Sequence, residues 1–183
     1  MPRLNAPDAA RMSEHQRRVY DAIASGPRGR VRGPLAIWLN RPGLAEHAQA
    51  LGQYCRYDSS LEPRLSELAI LTMAAWWRSS FEWWAHHPIA LKAGLDERVA
   101  EQIRLGDAPV FEKEDESVVY RFVQALLETR QVPDALYQEA VRVLDEPRVV
   151  DLVGIAGYYT LISMTINVFE VQPDDGSTVT FGR

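Results

Sequence analysis

The chain has 183 residues, 46% hydrophobic and 25% charged, the proportions of one soluble globular domain. Twenty Lys and Arg against 25 Asp and Glu leave a formal charge of −5 without a basic block, so no nucleic-acid partner is expected. Cys55 is the only cysteine, which excludes an intrachain disulfide, a CxxC redox pair and a cysteine-based zinc site.

Hydrophobic periodicity predicts helix almost throughout, and the expected fold class is all-α. Ser13 to Ser25 reads as a helix with Ser13 as its cap, stopped by Gly26-Pro27. Residues 26–41 read as a long loop, rich in Gly, Pro and Arg, pinned by Leu35, Ile37, Trp38 and Leu39. Pro42 opens a helix that runs to Tyr57, and Pro63 opens another through Leu65, Leu68, Ile70, Leu71 and Ala74. Ser79 or Ser80 caps the next helix, which closes at Gly94, and Asp96 caps a short one ending near Gly106. Asp115–Arg130, Asp134–Asp145 and Pro147–Glu170 complete the set, and the tail from Gln172 is expected to be mobile. The organisation expected is an extension over 1–41, a helical domain over 42–171 and a tail over 172–183.

Leu152 to Phe169 carries no charge but is dotted with Gly, Tyr, Thr, Ser and Asn. A buried core or interface helix is expected there rather than a membrane span. With no apolar stretch in the first 18 residues, the expected location is the cytoplasm.

Chemistry concentrates in Ser79-Ser-Phe-Glu82-Trp83-Trp84-Ala-His86-His87-Pro88. Glu82 and His86 are four apart and share a helix face, where a carboxylate fixes the imidazole tautomer and strengthens it as an acid or base. Trp76, Trp77, Trp83 and Trp84 would dry the pair. The same residues admit a structural reading: Ser79-x-x-Glu82 is a capping box, the Glu–His pair is solvated and the tryptophans are core. Pro88 would disturb the helix beside His86, opening space for a ligand or accommodating packing. Arg28, Arg30 and Arg32 read as solvated, or as an anion-binding group if their loop folds over a pocket.

Arg64-Leu-Ser-Glu67-Leu-Ala-Ile-Leu, followed by Phe81-Glu82-Trp83-Trp84-Ala-His86-His-Pro-Ile-Ala-Leu-Lys-Ala-Gly94-Leu, resembles the carboxymuconolactone decarboxylase family, which includes the alkyl hydroperoxidase D-like proteins. Its peroxidase branch carries Glu-x11-Cys-x2-Cys-x3-His, and Glu67, Ser79, Glu82 and His86 fall on those four positions. Ser79 and Glu82 replace both redox cysteines, so thiol-dependent peroxide reduction is excluded at these positions. Glu67 lies about 12 Å and His86 about 9 Å from the expected corner between their helices, so the two can face each other if the corner is unwound.

The resemblance implies an alkyl hydroperoxidase D-like helix bundle with an N-terminal helical extension, assembled as a homo-oligomeric trimer or hexamer. It implies a cofactor-free lyase that decarboxylates a small carboxylated lactone or related acid. His86 would then donate the proton, with Glu82 or Glu67 orienting and recycling it, and Ser79, Trp83 and Tyr158 would contact the substrate. No metal is expected, because His86 and His87 point about 100° apart on a helix. The alternative is a noncatalytic homo-oligomeric binding protein of the same fold.

Overall fold

The computed structural model describes residues 2–182, and these form an all-helical fold of nine α-helices. They are α1 (Glu14–Ser25), α2 (Pro34–Trp38), α3 (Pro42–Gln53), α4 (Pro63–Trp76), α5 (Ser80–Lys92), α6 (Glu97–Leu105), α7 (Glu114–Thr129), α8 (Asp134–Leu144) and α9 (Glu146–Phe169). A 3-10 turn, Ala9–Arg11, precedes α1, and a π-helical turn, Tyr54–Asp58, follows α3.

The core is built around α4, whose residues from Leu65 to Ala74 are all buried. A helix apolar on every side belongs in the centre of a bundle. Here α4 packs against α5, α6, α7 and α9. Arg64 fastens its first turn to α7 through ion pairs of 2.6 Å to both Asp115 and Glu116.

The corner after α4 is unwound in a defined way. Ser79 N–H donates to Ala74 O at 2.8 Å and Arg78 N–H to Ala75 O at 3.0 Å. Arg78 takes the left-handed region, with φ +52°. This is a Schellman motif, and it turns the chain sharply enough for α5 to fold back along α4. Gly94, with φ +96°, ends α5 by the same pattern of bonds. Pro88 stays inside α5, exposed, and the helix continues past it to Lys92.

Two expectations for the N-terminal half need correction. Pro34–Trp38, expected within a long loop, forms a short helix, because Pro34 supplies a preset first turn and Leu35, Ile37 and Trp38 all find core to bury in. Trp38 Nε1–H then donates to Thr165 Oγ1 on α9 at 2.9 Å. The helix expected from Pro42 to Tyr57 changes to π geometry at Tyr54. That turn is anchored to α9 by Asp151, which accepts from Tyr54 Oη at 2.7 Å and from Ser60 N–H and Oγ at 2.7 and 2.6 Å.

By length and composition α9 is apolar enough to cross a membrane, yet 61% of its most apolar window is buried inside the fold. That is the behaviour of a core helix. The tail, expected to be mobile, has partners along α5 and α6. Trp84 Nε1–H donates to Asp175 at 2.9 Å, Gly182 N–H donates to Arg104 O at 3.0 Å, and Phe181 meets the Trp83 ring edge-on.

Candidate active site

The α4–α5 hairpin brings three titratable side chains into contact in its interior. Glu67 stands in the second turn of α4, while Glu82 and His86 stand one turn apart on α5. His86 Nδ1 lies 2.7 Å from Glu67 Oε2, and Nε2 lies 2.9 Å from Glu82 Oε1. All three residues are at most 4% exposed, and the Tyr159 ring meets the imidazole edge-on at 5.3 Å.

An imidazole with a carboxylate acceptor at each nitrogen satisfies both only when both nitrogens carry protons. Burial alone would push the His86 pKa down, but Glu67 and then Glu82 outweigh it, and the pKa is held up at about 9. His86 is therefore an imidazolium at neutral pH.

The capping-box reading of Ser79 and Glu82 does not describe this helix start. Ser79 is the N-cap residue, but its hydroxyl caps nothing and is buried without a partner. The Glu82 carboxylate turns to His86 instead, because a charge-assisted bond to imidazolium is stronger than one to a backbone amide.

Glu82 and His86 open onto a cavity of about 130 Å³, whose apolar wall comes from Leu35, Phe81, Tyr158, Tyr159 and Ile162. Glu67 lies behind His86, outside the lining. Burial raises the phenol pKa of both Tyr158 and Tyr159, so each stays protonated. The lining also carries four guanidiniums: Arg28, Arg30 and Arg32 from the loop after α1, and Arg56 from the π-turn. Gly33, with φ +57°, lets this loop lie against α5, because a β-carbon there would overlap the Phe81 ring.

Of the residues expected at the site, Glu67, Glu82 and His86 are brought together and Tyr158 lines the cavity. Ser79 and Trp83 are not on its lining. Trp83 faces the tail side, stacked on His87 at 5.6 Å, and Trp84 lies beneath Arg32 at 5.0 Å. The wall expected to be tryptophan is thus made of Phe81 and two tyrosines. Of the two readings of the loop arginines, solvated or gathered over a pocket, both apply in part: all three line the cavity, with Arg28 and Arg32 partly buried and Arg30 exposed. Arg56 and Tyr159 were not anticipated; the spacing of two between Arg28, Arg30 and Arg32, which places alternate side chains on one side of an extended segment, is the signal that points to the loop's role.

The raised pKa of His86 makes folding stability depend on pH with a definite sign. Below pH 6.5, the ordinary histidine pKa, folded and unfolded chains are both protonated and the full contribution is present. Between 6.5 and about 9 it is lost, as the unfolded imidazole sheds its proton first. Urea titrations across that window should show the wild-type midpoint falling with pH relative to His86→Gln. Parallel curves for the two proteins would contradict the ionisation assigned to His86.

No family model matches the chain, and no curated protein matches it in sequence. Its fold does have counterparts among solved structures. A protein from Ralstonia eutropha JMP134, described as an alkylhydroperoxidase AhpD core and uncharacterized peroxidase-related protein, superposes with a TM-score of 0.76 at 15% identity, covering 95% of this chain and 93% of that one. An uncharacterized peroxidase-related protein from Silicibacter sp. TM1040 gives 0.76 at 12% identity, covering 94% and 92%. A protein of unknown function from Agrobacterium tumefaciens, a putative antioxidant defence protein AhpD, gives 0.66 at 19% identity, covering 74% of this chain and 94% of that one. Coverage is almost complete in the first two and shorter in the third, so the chain's additional length is shared by some proteins of this shape. At these identities the likeness concerns architecture, and the chain has the all-α alkylhydroperoxidase AhpD core fold.

Proposed function

We propose that the protein is a cofactor-free lyase that decarboxylates a small carboxylated lactone or related acid by proton transfer through Glu67, His86 and Glu82. One observation carries the reading: an imidazolium held between two buried carboxylates at the wall of a cavity. The sequence resemblance to the carboxymuconolactone decarboxylase family, with both cysteine positions of its peroxidase branch replaced, points the same way. Thiol chemistry has no support at this position. Ser79 and Glu82 stand where the peroxidase branch has cysteines, and Cys55 is buried in the π-turn, its thiol pKa pushed up to about 11 mainly by burial.

The reaction needs one bond broken and one proton added. The bond between the ring carbon and its carboxylate breaks, carbon dioxide leaves, and the electron pair moves into the conjugated lactone as an enolate. Protonation at carbon then gives the product lactone. In our reading the proton comes from His86 Nε2 by way of the Glu82 carboxylate at the cavity wall. Glu67 holds Nδ1–H and keeps the ring aligned while His86 regains a proton from solvent. The apolar wall favours the step further, because the neutral carbon dioxide leaving is stabilised there better than the departing carboxylate.

A screen of carboxylated lactones for carbon dioxide release tests the reading. The turned-over substrate should lose at least about a hundredfold in kcat in His86→Gln, whereas Ser79→Ala, away from the cavity, should leave kcat essentially unchanged. Unaltered turnover in His86→Gln would remove His86 from the mechanism. Release from no lactone at all would favour the noncatalytic binding protein.

We further propose that the protein assembles with copies of itself through α9. Val150, Val153, Gly157, Met164 and Val168 are all exposed and recur at helical spacing along one side of this helix. A second uncharged helix fits such a strip, with Gly157 allowing close approach. Sedimentation equilibrium should show an oligomer for the wild type and a smaller species for a Val153→Glu, Met164→Glu double variant. Equal masses for the two would exclude α9 as the interface.

A further inference from the structure

The lining of the cavity is more strongly cationic than proton transfer by the three-residue chain requires. Arg32 is neutralised by Asp174 at 2.8 Å. Among the described residues, Arg28, Arg30 and Arg56 make no ion pair, although Arg28 is half-buried and lines the cavity. A guanidinium removed from water without a counter-ion is costly unless a ligand supplies one. Buried Arg28 Nε also has no hydrogen-bond partner, and its Nη2 reaches only the Tyr158 hydroxyl at 3.5 Å.

The fold is shaped to keep Arg28 there. At buried Gly52 on α3, a β-carbon would overlap both the Tyr158 hydroxyl and the Arg28 guanidinium. The third-helix backbone therefore forms the floor on which these two groups rest. Tyr57 carries the neighbouring cations on its ring, with Arg56 at 5.3 Å and Arg28 at 5.9 Å. The Asp151 anchors of the π-turn fix Arg56 in turn.

Charge balance then states what the cavity accepts. Three guanidiniums without ion-pair partners share the lining with a single acidic side chain, Glu82, which is already engaged by His86. We propose that Arg28, Arg30 and Arg56 form a subsite for a compact dianion, either a dicarboxylate or a phosphomonoester, and that they set the specificity of the cavity. This rests on the lyase reading only for its chemistry. The arginines would hold the dianion, which survives the reaction, and a further carboxylate, the one to be lost, would lie by the phenyl and tyrosyl groups beside Glu82.

Binding of unreactive probes tests the subsite separately from turnover. Isothermal titration calorimetry at pH 7 and fixed ionic strength would compare succinate and inorganic phosphate with acetate. At least one of the two multiply charged probes should bind about tenfold or more tightly than acetate, and Arg28→Gln or Arg56→Gln should weaken it by about tenfold. Preference between the two probes identifies the dianion as dicarboxylate or phosphate ester. Arg30→Gln, at an exposed position, supplies the same test if a more buried variant does not fold. Acetate binding as tightly as both probes, or variants binding the preferred probe like wild type, would overturn the subsite. Because none of the probes is a lactone, a dianion preference with no lactone turned over would leave the subsite standing and remove only the lyase.

Discussion

A positive imidazole between two negative carboxylates, sealed inside a helical hairpin, is the arrangement on which the rest of this structure depends. Each member would be expensive to bury alone. Together they satisfy one another: Nδ1–H is taken by Glu67 and Nε2–H by Glu82. The arrangement demands that α5 return along α4 with little slack, and the Schellman corner at Arg78 achieves this over three residues outside regular helix. A continuous helix through Ser79 would have sent His86 away from Glu67.

The chain also gives the site two sets of groups with different chemistry. One is phenyl and phenol, from Phe81, Tyr158 and Tyr159; the other is guanidinium, from the loop after α1 and from the π-turn. Neither of these cationic segments belongs to the hairpin. They are held in place by contacts to α5 and α9: Gly33 against Phe81, Trp38 to Thr165, and Tyr54 and Ser60 to Asp151. The tail adds a further restraint, with Asp174 on Arg32 and Asp175 on the Trp84 indole. The N-terminal segment and the tail thus converge on Arg32, which bridges them at the cavity rim.

Much of this was legible in the residues, and the reasons for the failures are physical. Helix positions followed from periodicity and from punctuation by Pro42, Pro63, Asp96 and Gly94, whose local effects hold in almost any context. The Glu67–His86 contact followed from spacing, because helical rise fixes depth along a hairpin. Which way Glu82 would turn was not legible, since a capping amide and an imidazole compete for it and only tertiary placement decides. Pro34–Trp38 read as loop because its helix is a single short turn, stabilised by burial rather than by propensity. Trp83 failed as a cavity residue because α5 is apolar on several sides, so composition could not say which face met the site. Arg56 was hidden by a change from α to π geometry, which redirects side chains without an evident marker in sequence.

The claim beneath all of this is that His86 is doubly protonated at neutral pH, which can be observed directly by nitrogen-15 NMR of the imidazole. With the pKa held up at about 9, both ring nitrogens should show imidazolium shifts and slowly exchanging protons at pH 7.5, giving way to a neutral ring only near pH 9. A ring that is already neutral at pH 7.5, titrating near the ordinary value of 6.5, would contradict the account.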